Sequence, residues 1–412
     1  MALVTIDDLQ PGMTLAADLL SPQGRMLLPV GTVLEDRQIR VCRIWGVNLV
    51  EIGAGAANGN EKSGADLDPE IIRDSEALAA SRFALTNPEL PLTAKMRELF
   101  VHRVSRQAGK DHLPIPAVPV ASSPVLPPEP GLKKLTFSDL QGADGKLASL
   151  PSIFLQVQEA LNNPRSSASY VAEVISKDAS LAAKLLKLAN SAFYGYPQKI
   201  ETLTRAVTIV GATQLTSLAV GISVVEMFKD LPETINMESF WKHSLACGIL
   251  ARLLAGQCNR NLNEERFFVA GLLHDLGRLF MLKNYPQQVQ ASLSASQNGG
   301  ELLVPVENRL WGLNHAVIAG ELFRMWKFPA TLEMAVRHHH QPLTAQSPLE
   351  PGLIHVADIL AHSLNLGNSG AWYIPPLEKE IWEMVALPET ILPVLAATAD
   401  SQLAEIFRVF FD

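Results

Sequence analysis

Ten histidines occur in this chain of 412 residues, and eight of them lie between His243 and His362. Imidazoles interleaved with carboxylates are the usual ligand set for zinc, iron and manganese. Four residues stand out. His243 falls in the series Phe240, His243, Cys247, Leu250, Leu254, one helical stripe that points the imidazole into the core. His274 and Asp275 are adjacent. On one helix, neighbours lie about 100° apart and reach one cation only where the helix wall lines a cavity. Asp358 shares a face with Ile354 and Ala361, where an unpaired carboxylate is costly, so it needs a metal or a histidinium as partner. His315 stands one turn before Ile318 on a further apolar face. A single core histidine is more often a hydrogen-bonded packing residue than a ligand. An adjacent His-Asp pair flanked by an inward histidine and an inward aspartate is harder to explain by packing alone.

These residues sit in a stretch of helical periodicity. From Phe137 onward apolar residues recur at 3.6-residue spacing: Leu181, Leu185 and Leu188 follow a candidate N-cap at Asp178, and Ile318, Leu322, Met325 and Trp326 repeat the pattern. No strand signal follows residue 137, which predicts an all-α domain of a dozen or so helices over 132–370. Residues 1–53 read instead as a small β-rich module. Turn signals at Gln10–Met13 and Ser21–Gly24 predict hairpins closing into a sheet, a helix from Asp36 to Trp45 and a last strand from Leu49 to Ile52. Residues 54–113 form a mixed or helical connector, with Asp68-Pro69 starting a helix in a region that reads as helical over 69–110. Seven of the 27 prolines fall between Pro114 and Pro130. Proline fixes φ and donates no hydrogen bond, so 114–131 reads as an extended, semi-rigid linker. Residues 371–412 read as a C-terminal helical extension. The fold class is therefore mainly α, with a small β module in front.

Composition narrows the functions. At 48% hydrophobic and 18% charged the chain has material for a sizeable core. A net charge of −8 without a dense Lys/Arg run argues against binding a nucleic-acid polymer. No uncharged run approaches the roughly 20 residues that cross a bilayer, and the N-terminus does not read as a signal peptide. Three cysteines (Cys42, Cys247, Cys258) without C-x-x-C spacing disfavour a disulfide framework and fit a reducing cytoplasm.

Several motifs carry a family resemblance. The order His243, His274-Asp275, Asp358 resembles the H…HD…D pattern of the HD superfamily of metal-dependent phosphohydrolases. The closer resemblance is to its HDOD branch, the HD-related output domains of bacterial signalling proteins. Leu150–Ile153 (LPSI), Glu173–Gly195 (EVISKDASLAAKLLKLANSAFYG), Ile200–Gly211 and Phe240–Ser244 (FWKHS) carry it over roughly residues 140–365. The runs Leu9–Met13 and Leu27–Leu34 more loosely resemble a β module that precedes some HD-type signalling domains. Asn314–Leu322, with His315, and Arg337–Pro342, with His339 and His340, resemble the middle and paired-histidine segments of HD-GYP cyclic-di-GMP phosphodiesterases. There the pattern breaks: Leu343–Pro348 contains no Gly-Tyr-Pro, Arg278 replaces the expected lysine, and Ser239 stands one turn before His243 where a metal-bridging glutamate belongs.

The resemblance implies a divalent metal (Fe, Mn, Zn or Mg) held by His243, His274, Asp275 and Asp358. Arg278, His315, His339 and His340 are candidates for a second site or for phosphate contacts. It supports two functions. The first is a non-catalytic signalling output protein that binds a protein partner or a nucleotide and is a candidate homo-oligomer, with no residue assigned a catalytic role. The alternative is a phosphohydrolase acting on a nucleotide or cyclic dinucleotide, in which the ion activates a water and polarises a phosphoryl oxygen. A purely structural interaction protein is a third reading. For Phe193 and Tyr194, at the end of the most specific motif, packing into the core is preferred over a ligand surface.

Overall fold

The computed structural model describes residues 2–5, 9–20, 26–44, 49–53, 68–111, 114–116, 118, 134–144, 155–157, 159, 167–191, 193–196, 198–228, 231, 234–258 and 262–411. Most of the proline-rich linker, the Gly/Ala/Asn-rich run after Gly53 and the Leu150–Ile153 motif lie outside these residues.

The N-terminal module contains β1 (Ala2–Thr5), β2 (Leu19–Leu20), β3 (Met26–Leu28), α1 (Asp36–Ile44) and β4 (Leu49–Ile52). Among the described residues β2 pairs antiparallel with β3, and β1 pairs antiparallel with β4, Ala2 facing Ile52 and Thr5 facing Leu49. An isolated bridge from Leu15 to Ile52 joins β4 to the segment that leads into β2. Turn residues report local chain reversal, whereas the pairing of first with last strand depends on closing a small core. That core comprises Leu9, Leu15, Leu19, Leu34, Ile39, Cys42, Val50 and Ile52, and forms its own cluster.

Next come α2 (Pro69–Arg82) and α3 (Pro91–Asp111), then α4 (Phe137–Asp144). The helical stretch 69–110 is therefore two helices. Asp68 caps the first by accepting from Glu70 N at 2.9 Å, with proline at the first helical position. The main body follows as α5 (Ala168–Ser176), α6 (Ala179–Ala189), α7 (Leu203–Val210), α8 (Ala212–Met227), α9 (Met237–Gln257), α10 (Glu264–Leu273), α11 (Leu276–Asn284) and α12 (Pro286–Gly299). It continues as α13 (Leu303–Trp311), α14 (His315–Met325), α15 (Ala330–Arg337), α16 (Leu349–Ser363), α17 (Lys379–Val385) and α18 (Leu392–Phe411). Asp178 caps α6 as its position suggests, accepting from Leu181 N at 3.0 Å. Among the described residues there is no strand after β4, and the protein is mainly α.

Residues of α2, α3 and α18 share one hydrophobic cluster with the helices between them, Leu78, Phe100 and Phe410 belonging to it together with Leu250 and Leu353. Two central helices hold the site. Pro351–Ser363 of α16 is buried on every side, as is His243–Ala251 of α9, so the single inward stripe expected for α9 is too narrow a description. A helix enclosed on all faces leaves its polar side chains only other protein groups as partners. Helices α9 and α10 touch backbone to backbone. A Cβ on Gly271 would lie 2.7 Å from Gly248 Cα and 2.8 Å from the Cys247 carbonyl carbon. That contact carries the end of α10, and with it His274, against the helix bearing His243.

All three cysteines are buried thiols. Among the described residues no single helix is long and apolar enough to cross a membrane.

Candidate metal centre

His274 and Asp275 do not share a helix wall. His274 ends α10 and Asp275 precedes α11, so the chain breaks between the two helices at this pair. The break, rather than a cavity beside one helix, lets both side chains face the same point. His243 comes from mid-α9 and Asp358 from mid-α16. The four are brought together: His243 Nε2 lies 3.1 Å from Asp358 Oδ1, and His274 Nε2 lies 3.3 Å from Asp275 Oδ2 and 3.7 Å from Asp358 Oδ1. All four are at most 2% exposed.

Their hydrogen bonding suits a cation. His274 Nδ1 lies 2.7 Å from Gly271 O and His339 Nδ1 lies 2.6 Å from Val336 O. A carbonyl only accepts, so each ring carries its proton on Nδ1 when neutral and turns a lone pair on Nε2 inward. Those two Nε2 atoms, both oxygens of Asp275 and both ring nitrogens of His243 are buried without a properly directed hydrogen bond. Buried polar atoms are rarely left so, and a group of them facing one another fits a bound ion. The sets His243/His274/Asp275 and His274/His339/Asp358 each present ligand atoms within 4.8 Å of one another. The chain thus carries His/Asp clusters able to hold a metal, and His339 lies with the inner group rather than apart from it.

The outer residues are arranged differently. His315 opens α14, and its Nδ1 faces Glu307 Oε2 at 2.6 Å. Its Nε2 lies 3.3 Å from Arg278 Nη2, 3.1 Å from Asp275 Oδ1 and 2.8 Å from His340 Nε2. A guanidinium only donates, so Arg278 addresses the lone pair that a second ion would need. Arg278 also donates from Nη1 to Ser369 O and Oγ at 3.1 and 2.9 Å, and its Nε lies 3.1 Å from Asp275 Oδ1. His315, His339 and His340 still meet the distance condition for a three-ligand group. His338, the extra residue of the histidine run, points elsewhere, its Nδ1 2.9 Å from Thr344 Oγ1.

Sequence reasoning missed Glu307, His355, His362 and Arg82. His362 sits one turn after Asp358 with Nε2 3.4 Å from its Oδ1, a spacing visible in the sequence. His355 Nδ1 faces His339 O at 2.8 Å, steadying the turn that presents His339. Glu307 and Arg82 carried no local signal. The preference for packing at Phe193 agrees with the structure: Phe193 is buried beneath Arg252, and Tyr194 Oη donates to Glu265 at 2.7 Å.

Burial penalises the Asp275 charge, but Arg278, His274 and His315 outweigh it and hold the carboxyl well below the usual range. Burial likewise opposes Asp358, which the facing His243, His274 and His362 bring well below its ordinary value. Burial works against protonating His274 too, yet Asp275, Cys247 and Asp358 hold it well above an ordinary imidazole. Burial pushes His339 down to about 3 and lowers His243, His340 and His362.

A pH dependence follows for the metal-free protein. A ring lowered in the folded state takes its proton first in the unfolded chain, so stability drops as pH falls below the unfolded value of about 6.5. His274, being raised, contributes fully below that pH and loses its contribution as pH rises through its folded value. Between pH 6.5 and 5.5 the lowered rings, to which burial adds His355, therefore dominate, and we expect a loss of roughly 3 kcal/mol or more in urea unfolding. Unchanged stability across that interval would mean that these rings are already charged in the folded protein.

The profile of the HDOD domain family matches residues 147–342, so that Asp358 lies beyond the matched stretch. An uncharacterised protein of Treponema pallidum (strain Nichols) is 26% identical over 214 residues, 51% of this chain. The chain spans only 41% of that relative's length. In fold, the chain is similar to a Shewanella amazonensis protein provisionally named a phosphohydrolase, with a TM-score of 0.54 and 24% identity over 66% of this chain and 97% of that one. It is also similar to a Marinobacter aquaeolei protein provisionally named a signal transduction protein, with a TM-score of 0.53 and 16% identity over 100% of this chain and 96% of that one.

Proposed function

We propose, from the premise that residues 147–342 make this chain an HDOD-domain protein, that it is a signal-transduction output protein that acts by contact and uses a divalent ion to hold its core together. The observation that carries this reading is Arg278. The side chain placed to hold a substrate phosphate is 6% exposed, donates to Ser369, faces the His315 ring and is ion-paired with Asp275. A guanidinium enclosed and paired in this way is poorly placed to grip an incoming phosphoryl group. The absence of Gly-Tyr-Pro after the histidine run and of a glutamate at Ser239 points the same way. So does the name of the Marinobacter aquaeolei relative in fold.

The ion would be held by His243, His274, Asp275 and Asp358, with His339 completing the set. Mixed imidazole and carboxylate ligands favour zinc, iron or manganese over magnesium. A bound ion supplies positive charge between two buried carboxylates and ties together α9, α16, the α10–α11 break and the turn after α15. The partner is another protein or a nucleotide, met at the surface of the helical body. Three buried thiols fit a reducing cytoplasm.

A second reading keeps its own support. The full His243, His274-Asp275, Asp358 set is present with unsatisfied nitrogens facing inward, and the Shewanella amazonensis relative in fold bears a phosphohydrolase name. One experiment separates the two. The purified chain is analysed for metal, then incubated with cyclic dinucleotides and nucleoside phosphates in the presence of manganese or iron. We expect bound metal and no turnover. Turnover abolished by His274→Ala would overturn the contact reading in favour of hydrolysis.

A further inference from the structure

We propose that Arg82 is a positioning residue of the buried centre: it locks His362 in the tautomer that donates to Asp358, and so keeps this ring out of the ligand set. The inference rests on reading His243, His274, Asp275 and Asp358 as an ion-holding centre.

Arg82 is the last residue of α2, lies 7% exposed, and reaches the centre from a helix that precedes the proline-rich stretch. Its Nη2 is 3.5 Å from His362 Nδ1. A guanidinium has donors and no acceptor, so His362 Nδ1 must accept. A neutral imidazole with an accepting Nδ1 carries its proton on Nε2, and that atom faces Asp358 Oδ1 at 3.4 Å. The ring is enclosed: it is buried, its centroid lies 4.3 Å from that of His243, and the Arg82 guanidinium stands on its other side.

His362 is therefore the mirror image of His274 and His339. Their Nδ1 atoms face carbonyls, which leaves Nε2 as a lone pair whenever the ring is neutral. Geometry alone would admit His362 to the centre. With His243 and Asp358 it forms a group whose ligand atoms lie within 4.8 Å of one another. The guanidinium decides the matter by selecting a proton where an ion would need electrons.

Arg82 is itself held in place. The Trp372 ring lies 5.6 Å from its Cζ, Ile374 N donates to its main-chain oxygen at 2.9 Å, and Trp372 Nε1 donates to Ser81 Oγ at 3.0 Å. Helix α2 and the segment after α16 thus clamp the side chain that touches the centre. A displacement of α2 would withdraw the donor and release His362 Nε2 as a ligand, which couples a helix outside the matched HDOD residues to the coordination at its core.

The test uses the full chain, metal-free, with 15N-labelled histidine. Long-range 1H–15N correlation reports the tautomer of each ring, and His362 is assigned by the signal missing in His362→Gln. We expect the Nε2–H form in the wild type and in Arg82→Lys, which keeps a donor. Arg82→Met should move the ring to the Nδ1–H form or to an exchanging mixture. A wild-type His362 that is charged or Nδ1–H at neutral pH overturns the proposal, as does an unchanged tautomer in Arg82→Met. Should Arg82→Met fail to fold, the wild-type and Arg82→Lys tautomers still decide. Zinc affinity, read by competition with a chromophoric chelator, gives a second measure. Arg82→Met should change Kd by about tenfold, as orienting partners of ligands do. The change should vanish when His362 is already glutamine; an equal change in that background overturns the proposal. A wild-type chain that binds no zinc, iron or manganese removes the ion-holding reading of the centre, while the tautomer measurement still stands or falls by itself.

Discussion

Asp358→Ala is expected to strip the protein of metal and to lower its stability by about 3–5 kcal/mol, the range for removing one partner of a buried charge group. The Asp358 carboxylate is where three rings converge. His243, His362 and His274 place Nε2 at 3.1, 3.4 and 3.7 Å from its Oδ1. Helix α16 is enclosed around it, so no water is at hand to replace the lost acceptor. Arg82 and His274 would also keep their positive character with one fewer opposing charge. Asp358→Asn separates charge from volume. It fills the same space, so its stability loss should be smaller, near 2 kcal/mol, while metal is still lost. Urea unfolding and metal content after gel filtration check both variants. Normal metal content in Asp358→Asn would remove Asp358 from the ligand set and leave it a packing and hydrogen-bonding role.

Gly277→Ala should be nearly as damaging, although it adds one methyl and touches no charge. A Cβ at this position would lie 2.0 Å from His315 O, 2.8 Å from the His315 carbonyl carbon and 3.0 Å from Ala319 N. Every one of these atoms is backbone in α14, so no side chain can swing aside. Helix α11 would have to move away from α14. The first is preceded by Asp275 and carries Arg278; the second begins with His315. Separating them breaks the 3.1 Å approach of His315 to Asp275 and the Arg278 contact to the same ring. Overpacking alone costs about 1–3 kcal/mol, and here a buried polar network is disturbed as well. We expect a loss of about 3 kcal/mol or more and reduced metal content. A wild-type Tm in Gly277→Ala would show that the two helices do not cross this closely.

Much of this architecture was legible from residue types and spacing. Asp178 and Asp68 announced helix starts because a short acceptor before an apolar-periodic run satisfies free backbone amides, a local effect. The switch from turn-rich β patterning to helical periodicity marked the mainly α body. Asp358 drew attention because a carboxylate among Ile354 and Ala361 has to find a partner. His362, one turn further along, carried the same kind of signal and was passed over. Other features had no local trace. Nothing near Arg82 in the chain indicates that it reaches His362, 280 positions away, and nothing in Glu307 shows that it orients His315. The pairing of β1 with β4 was equally hidden, since turn residues mark where the chain reverses and leave open which strands meet after it does.

By itself the sequence determined the helical class and the chemical types gathered in the centre, because periodicity and the cost of burying charge act at short range and leave a pattern in composition. The tertiary structure alone decided how those groups divide. It set the break at His274-Asp275, brought α9 and α10 into backbone contact at Gly248 and Gly271, and aimed two arginines at the lone pairs of His315 and His362. Which nitrogen carries a proton depends on the atom facing it, and here that atom comes from a part of the chain remote in sequence.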